Sequence, residues 1–372
     1  MVKRVLITGG AGFIGSHLAD ELLAYGHHVR VLDMLSRQVH GAARERPCYL
    51  DRDVELVSGD LRNPVIVERA LRGIDAVYHF AAAVGVGQSM YEVERYTSHN
   101  DLGTAVLLES LVKRPVERLI VASSMSIYGE GLYRSRRGSI YSEVERSLEN
   151  LRAGIWEPLD DEGKPLEPIA TPESKPPTLS SVYALSKYVQ ERMCLMIGRA
   201  YNIPTVGLRF FNVYGPRQAL SNPYTGVLAI FASRYVNDKP PMIFEDGRQR
   251  RDFVSVHDVV EACRLCLDSA GAVDKVFNIG SGLAYTVQEL AQRVGRALGK
   301  DRVQPQITGK YRMGDIRHCF ADIRLARSLI GYMPRVRLEE GVLELADWLR
   351  GQVANDQVDR ASAELAARGL TL

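Results

Sequence analysis

The stretch that decides the fold is Val5–Gly15, which reads Val-Leu-Ile-Thr-Gly-Gly-Ala-Gly-Phe-Ile-Gly. Its first four residues, Val5–Thr8, predict a short buried strand, and a helical pattern over Phe13–Tyr25 follows the glycines directly. Glycines in such a turn let a pyrophosphate approach backbone N–H groups at a helix N-terminus. The alternative is an ordinary tight turn without a ligand. The residues that we expect to hold dinucleotide phosphates are Gly9, Gly12, Phe13, Ile14 and Gly15.

An acidic residue further along favours the dinucleotide. Asp33 stands eighteen residues after Gly15, at the end of the predicted strand Val29–Asp33. A carboxylate there can accept hydrogen bonds from both hydroxyls of an adenosine ribose and would repel a 2′-phosphate. NAD is therefore expected rather than NADP. Arg30 and Arg37 are the residues that count against this expectation, because an arginine nearby can accommodate the 2′-phosphate of NADP. Further contacts with the adenine and the dinucleotide are expected from Asp60, Leu61, Phe80, Ala81 and Ala82.

Short β-branched runs alternate with helical patterns in the first third of the chain, as expected for βαβ units on a parallel sheet. The run Leu119–Ser123 is apolar on both faces, which fits a sheet covered by helices on each side. The predicted fold class is therefore α/β, with a doubly wound parallel Rossmann sheet and a smaller mixed α/β C-terminal substrate domain. The expected division is residues 1–210 plus about 253–281 for NAD, residues 211–252 plus 282–350 for the nucleotide sugar, and a terminal tail over 351–372.

Composition excludes several classes of function. The 372 residues are 46% hydrophobic and 25% charged, with a net charge of +2, so no strong field attracts nucleic acid or a membrane surface. No run approaches the roughly 18 apolar residues of a membrane helix, and the start lacks a signal-peptide core. Five scattered cysteines indicate a reduced, cytoplasmic protein. Cys263-x-x-Cys266 lies in an apolar-periodic stretch, so we expect core packing and no metal site.

Tyr183 and Lys187 are four residues apart on a predicted helix, so their side chains share one face. Lowering the pKa of a phenol by about three units requires roughly 4 kcal/mol, which a nearby ammonium and a cationic nicotinamide could supply. Ser124, at the end of a predicted strand, would position a substrate alcohol for proton transfer. Taken alone, Tyr-x-x-x-Lys also occurs by chance on many helices.

Five features together resemble the extended short-chain dehydrogenase/reductases, and more narrowly the NAD-dependent epimerase/dehydratase family that acts on nucleotide sugars. They are the Gly9–Gly15 loop, Asp33, Ser123-Ser124, Tyr183-Ala184-Leu185-Ser186-Lys187 and Arg209–Pro216. The resemblance runs from about Val5 to about Leu349. It implies that Tyr183 is the base, Lys187 its electrostatic partner and Ser124 the group that positions the hydroxyl.

The resemblance also implies further contacts. Cofactor contacts would come from Asn100, Ser123, Tyr183, Lys187 and Phe210. Asn212 and Arg312 would meet the diphosphate, Arg251 the sugar nucleotide and Asp315 the ribose. The other substrate contacts would be Val84, Ser89, Ser124, Met125 and Val227. The substrate would be a dTDP- or UDP-linked sugar, and family habit suggests a homodimer through helices near Thr104–Val112 and Ser181–Tyr201.

The expected reaction is inversion at C4 through a transient 4-keto sugar. Dehydratases of the family carry Asp-Glu where Met125 and Ser126 stand, and decarboxylating members carry a glutamate in place of Ser126. Three phrases, Ala82–Glu92, Ser124–Tyr133 and Leu220–Val227, resemble enzymes that convert dTDP-L-rhamnose to dTDP-6-deoxy-L-talose.

Three alternatives stay open: a UDP-hexose or UDP-hexuronate 4-epimerase, an NDP-4-ketosugar reductase, and a non-catalytic NAD-responsive protein. Periodicity fails over residues 128–177, so this insertion is expected to be a functional or mobile loop, part of it a lid over the sugar.

Overall fold

The computed structural model describes residues 1–219, 226–312, 314–350, 352 and 358–371. In chain order, the strands are β1 (Arg4–Thr8), β2 (His28–Asp33), β3 (Glu55–Ser58), β4 (Ala76–His79), β5 (Arg118–Ser124), β6 (Leu132–Arg134), β7 (Ile140–Tyr141), β8 (Glu167–Ile169), β9 (Thr205–Phe210), β10 (Asn212–Tyr214), β11 (Met242–Ile243), β12 (Arg250–Arg251), β13 (Phe253–Ser255), β14 (Lys275–Ile279), β15 (Tyr285–Thr286), β16 (Gln306–Ile307) and β17 (His318–Cys319).

The helices are α1 (Phe13–Ala24), α2 (Arg37–His40), α3 (Pro64–Ala70), α4 (Val86–Ser89), α5 (Val93–Tyr96), α6 (Gly103–Lys113), α7 (Leu148–Arg152), α8 (Val182–Ala200), α9 (Val227–Val236), α10 (Val256–Asp268), α11 (Val287–Ala297), α12 (Arg324–Ile330), α13 (Leu338–Leu349) and α14 (Val358–Ala367). A π-helical segment, Thr97–Leu102, joins α5 to α6, and 3₁₀ turns lie at Met125–Tyr128 and Ala270–Ala272. Among the described residues, no helix combines the length and the apolar character that a membrane crossing requires.

Seven parallel strands form the central sheet in the order β14-β9-β5-β4-β1-β2-β3. The chain begins in the middle at β1, proceeds to the β3 edge, and returns to β4 on the other side of β1. This reversal leaves a crevice at the carboxyl ends of β1 and β4, where open α/β sheets bind ligands. The predicted doubly wound Rossmann sheet is confirmed.

Apolar side chains cover the sheet on both faces. Ile120 on β5 belongs to the hydrophobic cluster on one face and its neighbour Leu119 to the cluster on the other, and both are fully buried. Burial of each such side chain contributes about 1.5–3 kcal/mol. Cys263 and Cys266 on α10 lie fully buried in the first cluster, so the expected core packing of this pair is confirmed.

A third apolar cluster holds the C-terminal elements together. It contains Phe231 of α9, Leu290 of α11, Leu345 of α13 and Phe253 of β13. This region begins at the carboxyl end of the large sheet, because β10 follows β9 with only Phe211 between them.

The insertion, residues 128–177, contains more regular structure than its sequence pattern predicts. Strand β6 pairs antiparallel with both β7 and β8, and Tyr133, Val144 and Leu166 form a small core of their own. These strands are two or three residues long, which is too short for an alternating pattern to be recognised.

Candidate active site

The ends of the central strands line a cavity of about 800 Å³. Because parallel strands end at the same edge of a sheet, residues far apart in sequence meet there. Six strands each contribute a residue to the cavity lining, either their last residue or one just after it. In the order β1, β2, β3, β4, β5 and β9, these residues are Gly9, Asp33, Asp60, Phe80, Ser124 and Phe210. The rings of Phe80 and Phe210 meet edge to face, with centroids 5.8 Å apart.

The glycine loop is shaped for a phosphate. Gly12 is the N-cap of α1, and no side chain caps the first turn, so its N–H groups stay available. Gly9 has φ +70°, and a Cβ there would lie 2.8 Å from the Ala81 nitrogen. A Cβ on Gly15 would lie 2.5 Å from the Gly10 Cα. These close approaches require glycine, and the resulting cradle fits the pyrophosphate of a dinucleotide.

Asp33 presents a carboxylate at the adenosine side of the cavity. Its Oδ2 accepts the Ala11 N–H at 3.1 Å and its Oδ1 accepts the Leu35 N–H at 2.9 Å. Burial raises the pKa of Asp33, and these backbone donors lower it. Each oxygen retains a lone pair for a ribose hydroxyl. Of the two arginines named above, Arg30 is engaged by Glu55 at 2.8 Å, whereas Arg37 lines the cavity.

Asp60 lines the cavity but is partly used within the protein. Its carboxylate accepts a hydrogen bond from the Arg62 guanidinium at 2.6 Å, and this hydrogen bond lowers the pKa of Asp60. The other predicted cofactor residues that line the cavity are Gly12, Phe13, Ile14, Gly15, Leu61, Ala81, Ala82, Ser123, Tyr183 and Lys187.

Asn100 is the predicted cofactor residue that does not line the cavity. It is fully buried in the π-helical segment, where its Oδ1 accepts the Ala83 N–H at 2.7 Å. Its Nδ2 donates to the Ala83 carbonyl at 3.1 Å and to the Ser186 hydroxyl at 2.9 Å. Asn100 therefore joins the cavity wall at Ala83 to α8 from behind. Its position depends on the π turn, which the sequence pattern did not predict.

Two hydroxyls fix the start of the helix that carries the Tyr-Lys pair. Ser181 caps α8 by accepting the Ala184 N–H at 3.1 Å, and Ser89 of α4 accepts the Tyr183 N–H at 3.0 Å. The Ser89 hydroxyl donates to the Val86 carbonyl at 2.7 Å and does not line the cavity, so the structure gives it a positioning role. Tyr183, Lys187 and Ser124 all line the cavity together.

The electrostatics of this trio differ in part from the expectation. Burial raises the pKa of Tyr183, and a hydrogen bond with the Ser124 hydroxyl lowers it. Burial lowers the pKa of Lys187 to about 8. The Lys187 ammonium donates to the Gln190 Oε1 at 2.8 Å, and the pKa of Tyr183 is raised from its ordinary value, chiefly by burial, rather than lowered as expected.

A buried polar network behind Lys187 was not anticipated. Gln190 Nε2 donates to the Thr104 hydroxyl at 2.9 Å, and the two His79 ring nitrogens lie 2.8 Å from the Thr8 and Thr104 hydroxyls. Burial lowers the pKa of His79 to about 3, so the ring is neutral. The network links the ammonium of Lys187 to the ends of β1 and β4. The sequence did contain one sign of this network, because the apolar strands β1 and β4 each end in a polar residue, Thr8 and His79.

Apolar, hydroxyl and amide side chains line the cavity together with Tyr183 and Lys187, and we call this part of the cavity its reacting end. The predicted substrate residues that line it are Val84, Ser124, Met125, Asn212 and Val227. Asn212 Nδ2 donates to the Asp252 carbonyl at 2.9 Å. Residues 220–225, which belong to the third phrase compared above, lie outside the described residues.

Among the described residues that line the cavity, the carboxylates are Asp33 and Asp60. They end β2 and follow β3, which are three and four strands away from β5 and its Ser124. At strand spacings near 4.8 Å these separations are roughly 14 and 19 Å. No described carboxylate therefore lies beside Tyr183 in the cavity.

Arg251, Arg312 and Asp315 form a separate cluster and do not line this cavity. Asp315 lies 3.1 Å from the Arg312 guanidinium and 3.5 Å from that of Arg251. Burial opposes ionisation of Asp315, yet the two arginines lower its pKa. The Arg312 Nε is buried without a hydrogen-bond partner among the described residues. Met313, in the same motif, lies outside them.

The insertion packs against this cluster and contributes no residue to the cavity lining. Arg146 pairs with Glu245 at 2.7 Å and with Glu130 at 3.1 Å, and it donates to the Asp315 carbonyl at 3.0 Å. Fully buried Arg317 binds Glu157, Glu245 and Asp246. The insertion thus supports the segment that carries Asp315, just before β17, and this differs from the expected lid over the sugar.

A doubly wound sheet, a glycine cradle, an acidic residue on the ribose side and a Tyr-Lys pair on one helix define an NAD-binding enzyme of the extended short-chain dehydrogenase/reductase class. The description of the matching family model is "NAD dependent epimerase/dehydratase family", and the match covers residues 5–280. The chain belongs to this family, and its cofactor is NAD.

Several of the relatives and solved structures that the chain matches are 4-epimerases of nucleotide sugars. The chain is 35% identical to dTDP-L-rhamnose 4-epimerase of Burkholderia thailandensis, over 93% of this chain and 95% of that protein. It is 31% identical to UDP-glucose 4-epimerase of Mycolicibacterium smegmatis, over 94% and 99% of the two chains. The crystal structure of Thermus thermophilus UDP-glucose 4-epimerase in complex with NAD matches with a TM-score of 0.74 and 32% identity, covering 94% of this chain and 100% of that one.

Proposed function

We propose that the protein converts dTDP-L-rhamnose to dTDP-6-deoxy-L-talose by inverting C4 through a 4-keto intermediate, with NAD regenerated in each turnover. Within a family of nucleotide-sugar 4-epimerases, the observation that carries this choice is the composition of the reacting end. It offers the Ser124 and Tyr183 hydroxyls and the apolar side chains of Val84, Met125 and Val227. Among the described residues that line the cavity, the carboxylates Asp33 and Asp60 lie three and four strands away from β5 and its Ser124.

The residues act on one hydroxyl of the sugar. Bound NAD⁺ would take the hydride from C4 and return it to the opposite face, and its positive ring would lower the pKa of Tyr183. Tyr183 accepts the proton of the C4 hydroxyl and later donates it back. Ser124, which lines the cavity together with Tyr183, orients that hydroxyl. The atoms balance because one hydride and one proton leave the sugar and both return.

The absence of a second acid supports inversion over elimination. Loss of water from a 4-keto sugar needs a group that protonates the departing hydroxide. Met125 lines the cavity with a thioether, which cannot do so, and the Ser126 hydroxyl lies 3.1 Å from the Ser124 hydroxyl. This arrangement supports oxidation and re-reduction at one carbon.

The apolar lining supports a 6-deoxy sugar. Val84, Met125 and Val227 offer a methyl group suitable contacts, whereas a C6 carboxylate would require a cationic or hydrogen-bonding partner. The arginines that line the cavity, Arg37, Arg44 and Arg95, belong to segments after β2 and in α5.

The test is incubation of purified protein with dTDP-L-rhamnose without added NADH, followed by chromatography and NMR. The expected product is dTDP-6-deoxy-L-talose at an equilibrium ratio. UDP-glucose and UDP-glucuronate are assayed in parallel, and faster turnover of either would replace the proposed substrate. Stoichiometric consumption of NADH with a 4-keto sugar would instead indicate a reductase. NAD binding without conversion of any of these sugars would support a non-catalytic protein.

We also propose a homodimer through α6 and α8, in the cytoplasm. Leu185 and Met196 of α8 are 47% and 56% exposed, and Leu102, which directly precedes the neighbouring α6, is 51% exposed. Pairing with a second copy would bury them. The five cysteines are free, as expected in a reducing compartment. Light scattering should give twice the chain mass of 41.4 kDa. A Leu185→Glu/Met196→Glu variant should be monomeric, and a monomeric parent protein would refute the dimer.

A further inference from the structure

The C-terminal helix α14 packs on the outside of the catalytic region. Leu365 is 6% exposed, and its Cδ atoms would lie 3.4 and 3.5 Å from a Cβ placed on Gly87 of α4. The Tyr91 hydroxyl donates to Glu364 at 3.2 Å, and the Arg368 guanidinium stacks over the Tyr91 ring at 4.2 Å. An apolar contact, a hydrogen bond and a cation–π contact therefore hold α14 and the adjacent Arg368 to the short segment Gly85–Tyr91, which contains α4.

That segment forms one wall of the cavity. Gly85 and Val86 line the cavity, while Ser89 of the same short helix accepts the Tyr183 N–H. Movement of α4 would therefore change both the cavity wall and the start of α8. Leu365 is not among the described residues that line the cavity, so it acts through Gly87 as a positioning residue.

The same terminal segment also contacts α9, whose Val227 lines the cavity, and the segment that contains Arg312. Asp359 pairs with Arg234 of α9 at 2.7 Å and with Lys239 at 3.4 Å. Beyond the helix, Thr371 forms an antiparallel bridge with Arg312. Arg312 is the residue expected at the diphosphate, and its Nε is buried with no hydrogen-bond partner in the part of the chain that the structure describes. Residues 358–371 thus connect the α4 wall with the Arg312–Asp315 cluster.

We propose that residues 358–371 form a strap that holds the two sides of the substrate site together and retains the 4-keto sugar between the two hydride transfers. The inference rests on the proposed function. Retention matters because the first half-reaction moves a hydride from C4 to NAD⁺ and a proton from O4 to Tyr183. If the ketone leaves then, the protein keeps NADH and cannot begin another cycle.

The test compares substitutions of Leu365 in the full-length protein. Leu365→Asp introduces a carboxylate against Gly87, Leu365→Ala removes the contact, and Leu365→Met conserves it. Leu343→Ala is the matched control, because Leu343 is 54% exposed on α13. KM for the nucleotide sugar, kcat, and the absorbance of NADH bound to the protein during turnover are measured for each variant.

Leu365→Asp should raise KM roughly tenfold, and protein-bound NADH should accumulate during turnover. The kcat that is measured from initial rates, before NADH accumulates, should change less than about twofold. Leu365→Ala should show a smaller effect of the same kind, and Leu365→Met and Leu343→Ala should match the parent protein. The proposal is overturned if Leu365→Asp retains the parent KM and accumulates no NADH. It is also overturned if kcat falls with KM unchanged.

A second measurement separates this inference from the proposed function. If the parent protein does not convert dTDP-L-rhamnose, the proposed function fails, and the strap is then judged by calorimetric binding of dTDP and UDP. Leu365→Asp should weaken binding of whichever nucleotide the parent protein binds. Equal affinities in the two proteins would refute the strap even where turnover is absent.

Discussion

The ammonium of Lys187 donates a 2.8 Å hydrogen bond to Gln190, which lies one turn further along the same helix. Burial lowers the pKa of Lys187 to about 8, so the group is charged at neutral pH and loses its proton as the pH rises through that value. The Gln190 oxygen therefore holds the charge in place beside the cavity, while Gln190 Nε2 contacts His79 and donates to the Thr104 hydroxyl.

Substitution of Gln190 should move the alkaline limb of activity. Gln190→Glu places a negative charge beside the ammonium, raises the pKa of Lys187, and should shift the fall in kcat/KM to higher pH. Gln190→Leu removes the acceptor from a buried cation and should shift it to lower pH. Profiles of kcat/KM against pH measure both shifts. If the pH at which kcat/KM falls is the same in both variants as in the parent protein, Lys187 does not control the fall.

Tyr183→Phe should abolish turnover while sparing the cofactor. Loss of the proton acceptor is expected to lower kcat roughly 10³-fold, because general base catalysis contributes factors of this size. NAD affinity, measured by calorimetry, should change little. Tyr188→Phe on the same helix is the matched control and should retain full activity. Appreciable turnover by Tyr183→Phe would place the proton transfer on another group.

Asp33→Asn should weaken NAD binding. The carboxylate accepts charge-assisted hydrogen bonds, whose loss costs about 1.5–3 kcal/mol, or roughly 10- to 100-fold in affinity. The preference for NAD over NADP should narrow as well, since the repulsion of a 2′-phosphate is removed. Asp53→Asn, at an exposed position in the following loop, is the control. Unchanged NAD affinity in Asp33→Asn would contradict the ribose assignment.

Arg146→Met should destabilise the protein. Glu245 is 1% exposed, and removal of one of its two arginine partners leaves buried negative charge poorly compensated, at a cost of roughly 3 kcal/mol. Arg137→Met breaks an ion pair of the same insertion whose side chains are 79% and 49% exposed, and should cost less than about 1 kcal/mol. Denaturant unfolding distinguishes the two. Equal stability of both variants would show that the buried network does not anchor the insertion.

Local patterns were sufficient to predict the central sheet and much of the cavity. Gly9–Gly15 and the Tyr183–Lys187 pair carry their geometry in short spacings, and parallel strands then place Asp33 and Ser124 at the same edge. Asn100 was expected to contact the cofactor, but it is not among the described residues that line the cavity, because a π turn directs its amide to Ala83 and Ser186.

Contacts between distant segments were not predictable in this way. Arg146 and Glu245 are 99 residues apart, and no periodicity in a single sequence pairs them. Strands β6, β7 and β8 are too short to leave a pattern, so the insertion was expected to be irregular. The docking of Leu365 against Gly87 likewise depends on tertiary packing, since α14 carries only a short amphipathic pattern of its own.

The central claim is that one hydride leaves C4 and the same hydride returns to its other face. The most direct measurement follows dTDP-L-rhamnose carrying deuterium at C4 through complete turnover, with NMR of the product. The account predicts dTDP-6-deoxy-L-talose with full retention of deuterium at C4, no incorporation from D₂O and no consumption of NADH. Loss of the label to solvent, or inversion at a carbon other than C4, would contradict it.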